Sequence, residues 1–444
     1  VRSNLASMEM FHSRIGASEN MHKIIDDMFA ENFNLYVENS EKLLESLKEC
    51  ILPFRKTCKS LNAPDVSVVS GDLVRMRCMI QESKGFEMFP IGNLSVSEVG
   101  NQISCGLLRD SYACLNLNEQ ETKLGTRYVY VVGSVPGASS WYDETFYDLA
   151  VKSDASGSSC HQKSVSSCKT VAKFVEESCS DLEPNRVFDL FGVLDISEIC
   201  DEDGAEEFQA KYRSLHVISY EAVEDHKAMN QDLPLMSDNN VEAISSIRKS
   251  LNLLLGDKNA AEFLLCHLVS KTYVRPTENP VCSMPMNIIN VTDSASIIRH
   301  IKLLMPKVVV LEVNEETLCT DRFIPKMNYQ TEVLENGILQ LSNGTIFIID
   351  ETKFSISSIS GISEQKKEIL HKNIRALKRL VKEQTLEYDY THYPITLDCD
   401  INVLVLSREP SLLNLGLPFT LAIPPQFCDG IDPANVIQTE LALR

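Results

Sequence analysis

Two adjacent acids, Asp350 and Glu351, end the apolar run Ile346-Phe347-Ile348-Ile349. They are the residues best placed to do chemistry. A β-branched and aromatic run bounded by a turn, here Ser342-Asn343-Gly344, predicts a strand buried on both faces of a parallel sheet. Open α/β sheets hold ligands at the carboxyl ends of such strands. In a phosphate-loop hydrolase the first acid would orient magnesium and the second would activate water. The plainer reading is a buried strand that its acids simply terminate. Hydrolysis also needs a loop with glycines, so that backbone N–H groups approach the phosphates, a Lys for the β/γ charge, and a Ser or Thr for magnesium. The matching strand-to-helix junction is Asn287-Ile288-Ile289-Asn290-Val291-Thr292-Asp293-Ser294-Ala295-Ser296. It predicts a strand feeding a helix, with Thr292 or Asp293 as N-cap. It contains neither glycine nor lysine, Asp293 would repel phosphate, and no G-x-x-x-x-G-K-[ST] occurs in the 444 residues. No catalytic residue, cofactor or metal is therefore expected, and Asp350 and Glu351 read as the remnant of a nucleotide site.

Other residues offer less. The fourteen cysteines form no C-x-x-C and no Cys/His spacing suited to structural zinc. Cys160-His161 with Cys168 is the nearest cluster and lies in a Ser-rich tract; buried or incidental thiols in a reducing compartment are expected. His267 sits among Leu264, Leu265 and Leu268 and reads as a core histidine. The net charge of −20, from 62 acids against 42 bases, argues against nucleic acid as the main ligand and favours solubility and a basic protein partner. One basic patch stands out: Lys366, Lys367, Lys372, Arg375, Lys378, Arg379 and Lys382, read as a solvated helix face, with DNA contact as the alternative. The acidic segment 200–207 reads as an exposed loop or a dock for a basic surface. No apolar stretch approaches the roughly 20 residues of a membrane span. No signal-peptide core follows Met8, so the chain is expected inside the cell, and Val1 in place of Met suggests a fragment or a processed chain.

These residues must be positioned by recognisable elements. Residues 21–51 predict helices, with Met21, Ile24, Ile25, Met28 and Phe29 on one face and Leu43, Leu44, Leu47 and Ile51 on another, until Pro53. Residues 73–80 and 126–132 alternate as strands of a small, OB-like barrel. The turn Val135-Pro136-Gly137 leads to Trp141, expected to pin the loop to that barrel, with base stacking as the alternative. Residues 171–175, 186–195 and 215–218 predict further strands, and 238–273 two helices. Residues 364–383 predict an amphipathic helix with Ile369, Leu370, Leu377, Leu380 and Val381 facing a core, and 401–406 a buried strand ending at Ser407. The expected class is mixed α/β and β, multidomain. It comprises an N-terminal helical segment (1–60), an OB-like β domain (61–150), a Ser-rich linker (151–170), a second β-rich module (171–234) and an α/β domain lacking a P-loop (235–444).

The order Leu334-Glu335-Asn336-Gly337 and then Ile349-Asp350-Glu351 resembles the Walker B segment of minichromosome maintenance (MCM) helicase subunits. Several further runs resemble the MCM-binding protein family: residues 71–81, Val135-Pro136-Gly137 with Ser140-Trp141, Leu255-Gly256-Asp257, Ala260-Ala261-Glu262, His267-Leu268-Val269-Ser270, Tyr388-Asp389-Tyr390 and Ile401-Asn402-Val403. Together they cover roughly residues 65 to 415 in order. The resemblance implies a nuclear, non-enzymatic protein that binds MCM helicase subunits, without sequence-specific nucleic-acid or membrane contact. It would regulate assembly, stability or chromatin unloading of the complex in DNA replication and sister chromatid cohesion. The Leu334–Glu351 resemblance beside an empty P-loop motivates a further hypothesis, that a degenerate AAA+/P-loop-like domain takes a neighbour's place against a real subunit. The family's linker is longer and more basic; here 153–170 carries only Lys163 and Lys169. Ser407 stands where active subunits carry a sensor asparagine, no S-R-F-D-like arginine finger follows, and Glu387-Tyr388-Asp389-Tyr390 replaces a basic DNA-gripping hairpin. Two alternatives remain: an unconventional ATPase with Asp350 on magnesium and Glu351 as base, and an OB-type single-strand binder using Trp141 and the 366–382 helix.

Overall fold

The computed structural model describes residues 10–16, 19–55, 57–63, 67–97, 100–110, 124–139, 142, 170–175, 179, 182–198, 211–223, 238–276, 280–331, 333–355, 362–413, 415 and 417–421. The chain forms two compact units, Val1–Val135 with Ala150–Val223, and Pro136–Leu149 with Glu224–Arg444.

In the first unit, the apolar stretch 21–51 becomes α1 (Met21–Glu31), α2 (Phe33–Glu38) and α3 (Ser40–Ile51). The breaks fall at Asn32 and Asn39, both outside helical backbone; the Asn39 side chain accepts the Lys42 N–H and caps α3. Both expected apolar faces are buried. Strands β1 (Lys59–Ser60), β2 (Leu73–Pro90), the hairpin β3 (Gly92–Ser97) and β4 (Gly100–Cys105), β5 (Leu124–Gly133), β6 (Thr170–Phe174), β7 (Val187–Glu198) and β8 (Lys211–Ala222) follow. β2 is long enough to serve two partners. Its first half pairs with β7 and its second half with β5, so the order β2-β5-β6-β8-β7 returns to β2 and the sheet closes.

Alternation along β2 sends Val74, Met76, Cys78 and Ile80 inward with Tyr130, Val132, Ala172, Phe174, Leu190 and Leu215. On the other face Phe191, Val193 and Ile218 join Phe29, Leu43 and Leu47 of the helices. Alternation lets β7 serve both cores, and its pairing with β8 shifts register between Phe191 and Gly192. There the backbones come so close that a Cβ on Gly192 would lie 2.0 Å from the His216 carbonyl oxygen. β1, β2 and β5 thus share one sheet with β6, β7 and β8, while β3 and β4 form a two-stranded sheet of their own. Local alternation specifies a strand but not its partner, and β2 takes partners from 61–150 and from 171–234.

The second unit is built on a parallel sheet. Helices α4 (Asp238–Leu255) and α5 (Lys258–Val269) precede β9 (Met286–Ile289), α6 (Ser294–Leu304), β10 (Val308–Glu312), α7 (Glu315–Cys319), β11 (Lys326–Asn328), β12 (Val333–Glu335) and β13 (Thr345–Asp350). Then come α8 (Glu364–Glu383), β14 (Thr385–Asp389), β15 (Pro394–Asp398), β16 (Ile401–Leu406) and β17 (Leu417–Thr420). The five-stranded sheet runs β10-β13-β16-β9-β17, parallel throughout. Ile346 and Ile348 of β13 pack with Leu251, Leu264 and Ile297 on one face, and Phe347 and Ile349 with Leu377 and Leu380 on the other. Burial on both faces is why the run is apolar without alternation.

A second sheet, β12-β11-β14-β15, carries the Leu334-Glu335 stretch. Gly337 lets the chain pass against Phe323 and Ile324, where a Cβ would meet backbone at 2.4 Å. On α8 the buried residues are Leu370, Asn373, Leu377 and Leu380. Ile369, expected inside, is exposed, and Asn373 enters instead because its amide donates to the carbonyls of Leu318 and Asp321, both at 2.9 Å.

Ala138 forms an antiparallel bridge with Lys307, the Ser139 N–H donates to the Pro306 carbonyl at 2.8 Å, and the Val308 N–H donates to the Gly137 carbonyl at 2.8 Å. Residues 137–139 thus dock on the outer edge of β10. An edge strand offers unpaired backbone groups that a covering loop satisfies. Trp141 lies outside the described residues, as do Cys160, His161, Cys168 and the acidic segment 200–207.

Candidate functional site

The expected acids stand at the carboxyl end of β13, beside the start of α6. The buried Asp350 carboxylate accepts three hydrogen bonds: from Ser294 Oγ on Oδ2 at 2.6 Å, and from Thr352 Oγ1 (2.6 Å) and the Thr352 N–H (3.0 Å) on Oδ1. Glu351 is also buried, and Ser411 Oγ donates to it at 3.0 Å. Burial pushes the Glu351 carboxyl above its ordinary range, against the hydrogen bonds from Ser411 and the Leu412 backbone.

The loop that would cradle phosphate runs only from Asn290 to Asp293 between β9 and α6. Asn290 has φ +69, and its side-chain amide donates to the Leu421 carbonyl at 2.9 Å. Val291 is buried in the apolar core, and its N–H donates to the Ser407 carbonyl at 3.0 Å. Asp293 is the N-cap of α6: its carboxylate accepts the Ser296 N–H at 3.3 Å and the Ser296 hydroxyl at 2.7 Å. A helix N-terminus attracts anions; here the protein supplies the anion itself. A nucleotide phosphate would meet the Asp293 carboxylate, and magnesium would compete with Ser294 and Thr352 for Asp350. The residues present do not fit a magnesium nucleotide. Ser407 is buried, and its hydroxyl donates to Asn287 Oδ1 at 3.0 Å.

The remaining candidates resolve into structural roles. His267 is fully buried, its Nδ1 lies 2.7 Å from the Met284 carbonyl, and burial pushes the imidazole down to about 4. A neutral ring donating to that carbonyl satisfies the geometry. On α8, Lys366 pairs with Glu315 (2.9 Å), Lys367 with Glu364 (2.7 Å), Lys372 with Glu368 (3.0 Å), and Arg379 with Glu383 (3.0 Å) and Glu387 (2.6 Å). Much of the basic patch is thus compensated by neighbouring acids.

The first unit holds a cluster that the sequence did not signal. Asp110, Asp195 and His216 bring ligand-type atoms within 4.8 Å of one another. Arg127 Nη2 and Lys173 Nζ, however, donate to Asp110 Oδ1 at 2.6 and 2.7 Å, and both cations also pair with Glu87. Burial alone would raise the Asp110 carboxyl; the contacts with His216 and Lys173 outweigh it and hold the group well below the usual carboxylate range. Burial also lowers the His216 imidazole, and the Arg127 and Lys173 charges act in the same direction. A metal here would face two cations at contact distance, so the cluster is an ion-pair network tying strands of the barrel together. Its members come from segments far apart in the chain, and no local spacing marks them.

Fold and site together define a protein of a closed β-barrel unit and a parallel α/β unit, whose strand-end acids are committed to internal hydrogen bonds instead of a phosphate cradle. The chain belongs to the Mini-chromosome maintenance replisome factor family, whose sequence profile matches residues 60–186 and 166–429. A Danio rerio protein named Mini-chromosome maintenance complex-binding protein is 23% identical over 539 residues, covering 95% of this chain and 83% of that protein. Proteins of the same name from Gallus gallus (33% identical over 184 residues, 39% of this chain and 28% of that one) and Arabidopsis thaliana (28% over 305 residues, 63% and 50%) are also similar.

Proposed function

We propose that this chain is a non-enzymatic adaptor or chaperone that binds MCM helicase subunits, and that its α/β unit is a pseudo-ATPase domain lying against a genuine subunit. The observation that carries the proposal is the self-capped start of α6. Asp293 fills the anion position and Ser294 binds Asp350, so the sheet end is held together without nucleotide. The names of the relatives support the partner. The order β10-β13-β16-β9-β17, with the acids on β13 and a helix start after β9, supports a degenerate AAA+/P-loop-like reading. The closed sheet of the first unit supports an OB-like barrel. On this reading the chain works in the nucleus on assembly, stability or chromatin unloading of the hexamer, in DNA replication and sister chromatid cohesion.

The test is a pull-down of the purified chain against individual MCM subunits, with and without magnesium and ATP. Retention of at least one subunit regardless of nucleotide on this chain is expected. Retention of none would sink the proposal. An ATP turnover that Glu351→Gln abolishes would install the hydrolase reading instead.

A further inference from the structure

The cations of α8 fall into two sets. Lys366, Lys367, Lys372 and Arg379 are each paired with an acid. Arg375, Lys378 and Lys382 are exposed, and among the described residues none of them forms an ion pair. In a chain of 62 acids against 42 bases, three neighbouring cations left without acids call for a cause. Attraction to a helix C-terminus accounts for Lys382, in the last turn. That attraction fades within the turn, and Arg375 and Lys378 lie further back.

The three cations also share a line. Steps of three and then four residues set them on one face of the helix, turned away from the buried Leu370, Asn373, Leu377 and Leu380. At the helical rise they stand about 4.5 and 6 Å apart along the axis. Toward the N-terminus the same line continues into Glu368 and Glu364, which already hold Lys372 and Lys367. The cationic stretch is therefore short and has an acidic end.

Its length selects the anion. A DNA strand carries a charge every ~3.4 Å. Laid along this line, it would run from three cations onto Glu368 and Glu364, over a chain of net charge −20. An acidic protein segment can end where the cations end. We infer that Arg375, Lys378 and Lys382 form a docking line for an acidic segment of the bound MCM subunit, with carboxylates at matching helical spacing. This contact rests on the proposed function and supplies the chemistry by which the α/β unit meets its partner. Charges of this kind act mainly on specificity and on the rate of association.

The test titrates the retained MCM subunit onto the immobilised full-length chain in 0.1 M NaCl. The Arg375→Gln/Lys378→Gln/Lys382→Gln variant should bind at least about tenfold more weakly, chiefly through slower association. The Lys366→Gln/Lys367→Gln/Lys372→Gln variant makes the same change of charge on the same helix and should lose less than about threefold. In 1 M NaCl, where the screening length falls from about 10 to 3 Å, the first variant and the wild type should converge. Circular dichroism confirms that both variants are folded. Unchanged affinity in the first variant overturns the inference, and so does a difference that survives 1 M NaCl. Equal losses in the two variants would reduce the effect to net charge and overturn it as well. A line that governs binding of a fluorescent single-stranded oligothymidylate, but not of the subunit, would assign it to nucleic acid instead. Retention of no subunit by the wild type would bring down the proposed function together with this contact, so the two failures are distinguishable.

Discussion

Asp350 and Glu351 are neighbours in sequence but differ in surroundings, and the difference is measurable. Asp350 is held by three donors, of which Ser294 Oγ is the one reaching across from α6. Ser294→Ala should cost about 1–3 kcal/mol, the usual effect of leaving a buried charged acceptor short of a donor, read as a shift of the urea midpoint; no shift would mean the contact does not hold α6 to β13. Glu351 is the opposite case. Its folded-state value lies above the ordinary 4.5 because of burial, so the folded chain keeps that proton to higher pH than the unfolded chain. The associated stability is present below pH 4.5 and lost as pH rises through the folded-state value. Glu351→Gln should therefore match or exceed the wild type in stability near neutral pH and flatten the pH dependence just above 4.5. Urea titrations of both proteins across that window check this, and a variant weaker near neutral pH would contradict it.

At the scale of elements, close approach of backbones decides more than propensity does. Gly192→Ala would press a Cβ against the His216 carbonyl at the β7–β8 irregularity. It should destabilise the barrel unit by roughly 3 kcal/mol or more, since neither strand can shift without disturbing two cores. Calorimetry should show the loss in the transition of that unit. The helices and most strands were legible in the sequence because their periodicities were strong: both apolar faces of 21–51 and the run at 346–349 are buried as expected. Asn373 was not legible, since a polar residue on an amphipathic helix gives no sign that two carbonyls of another segment await it. The turn at 135–139 was legible as a turn, but its dock on β10 was not, since its bridging partner Lys307 lies far along the chain.

At the scale of the molecule, the net charge is −20, and the ion pairs along α8 offset much of its basic face. On the proposed function the self-capped start of α6 offers no nucleotide site, and a ligand stabilises only what it binds. Millimolar magnesium-ATP should therefore leave the melting temperature of the isolated chain unchanged. A rise that Asp350→Asn removes would show a nucleotide site after all.

The sequence by itself determined the local facts: which runs become strands or helices, where the acids fall, and that no glycine-lysine loop accompanies them. These follow from residue type and spacing, which act over a few positions. The tertiary structure alone decided that two β-rich stretches close into one sheet, that Asp110, Arg127, Lys173 and His216 meet, and that Gly137 lies on β10. Each depends on pairing between segments tens to more than a hundred residues apart, where hydrogen-bonding edges and buried charges are matched by geometry that no local pattern encodes.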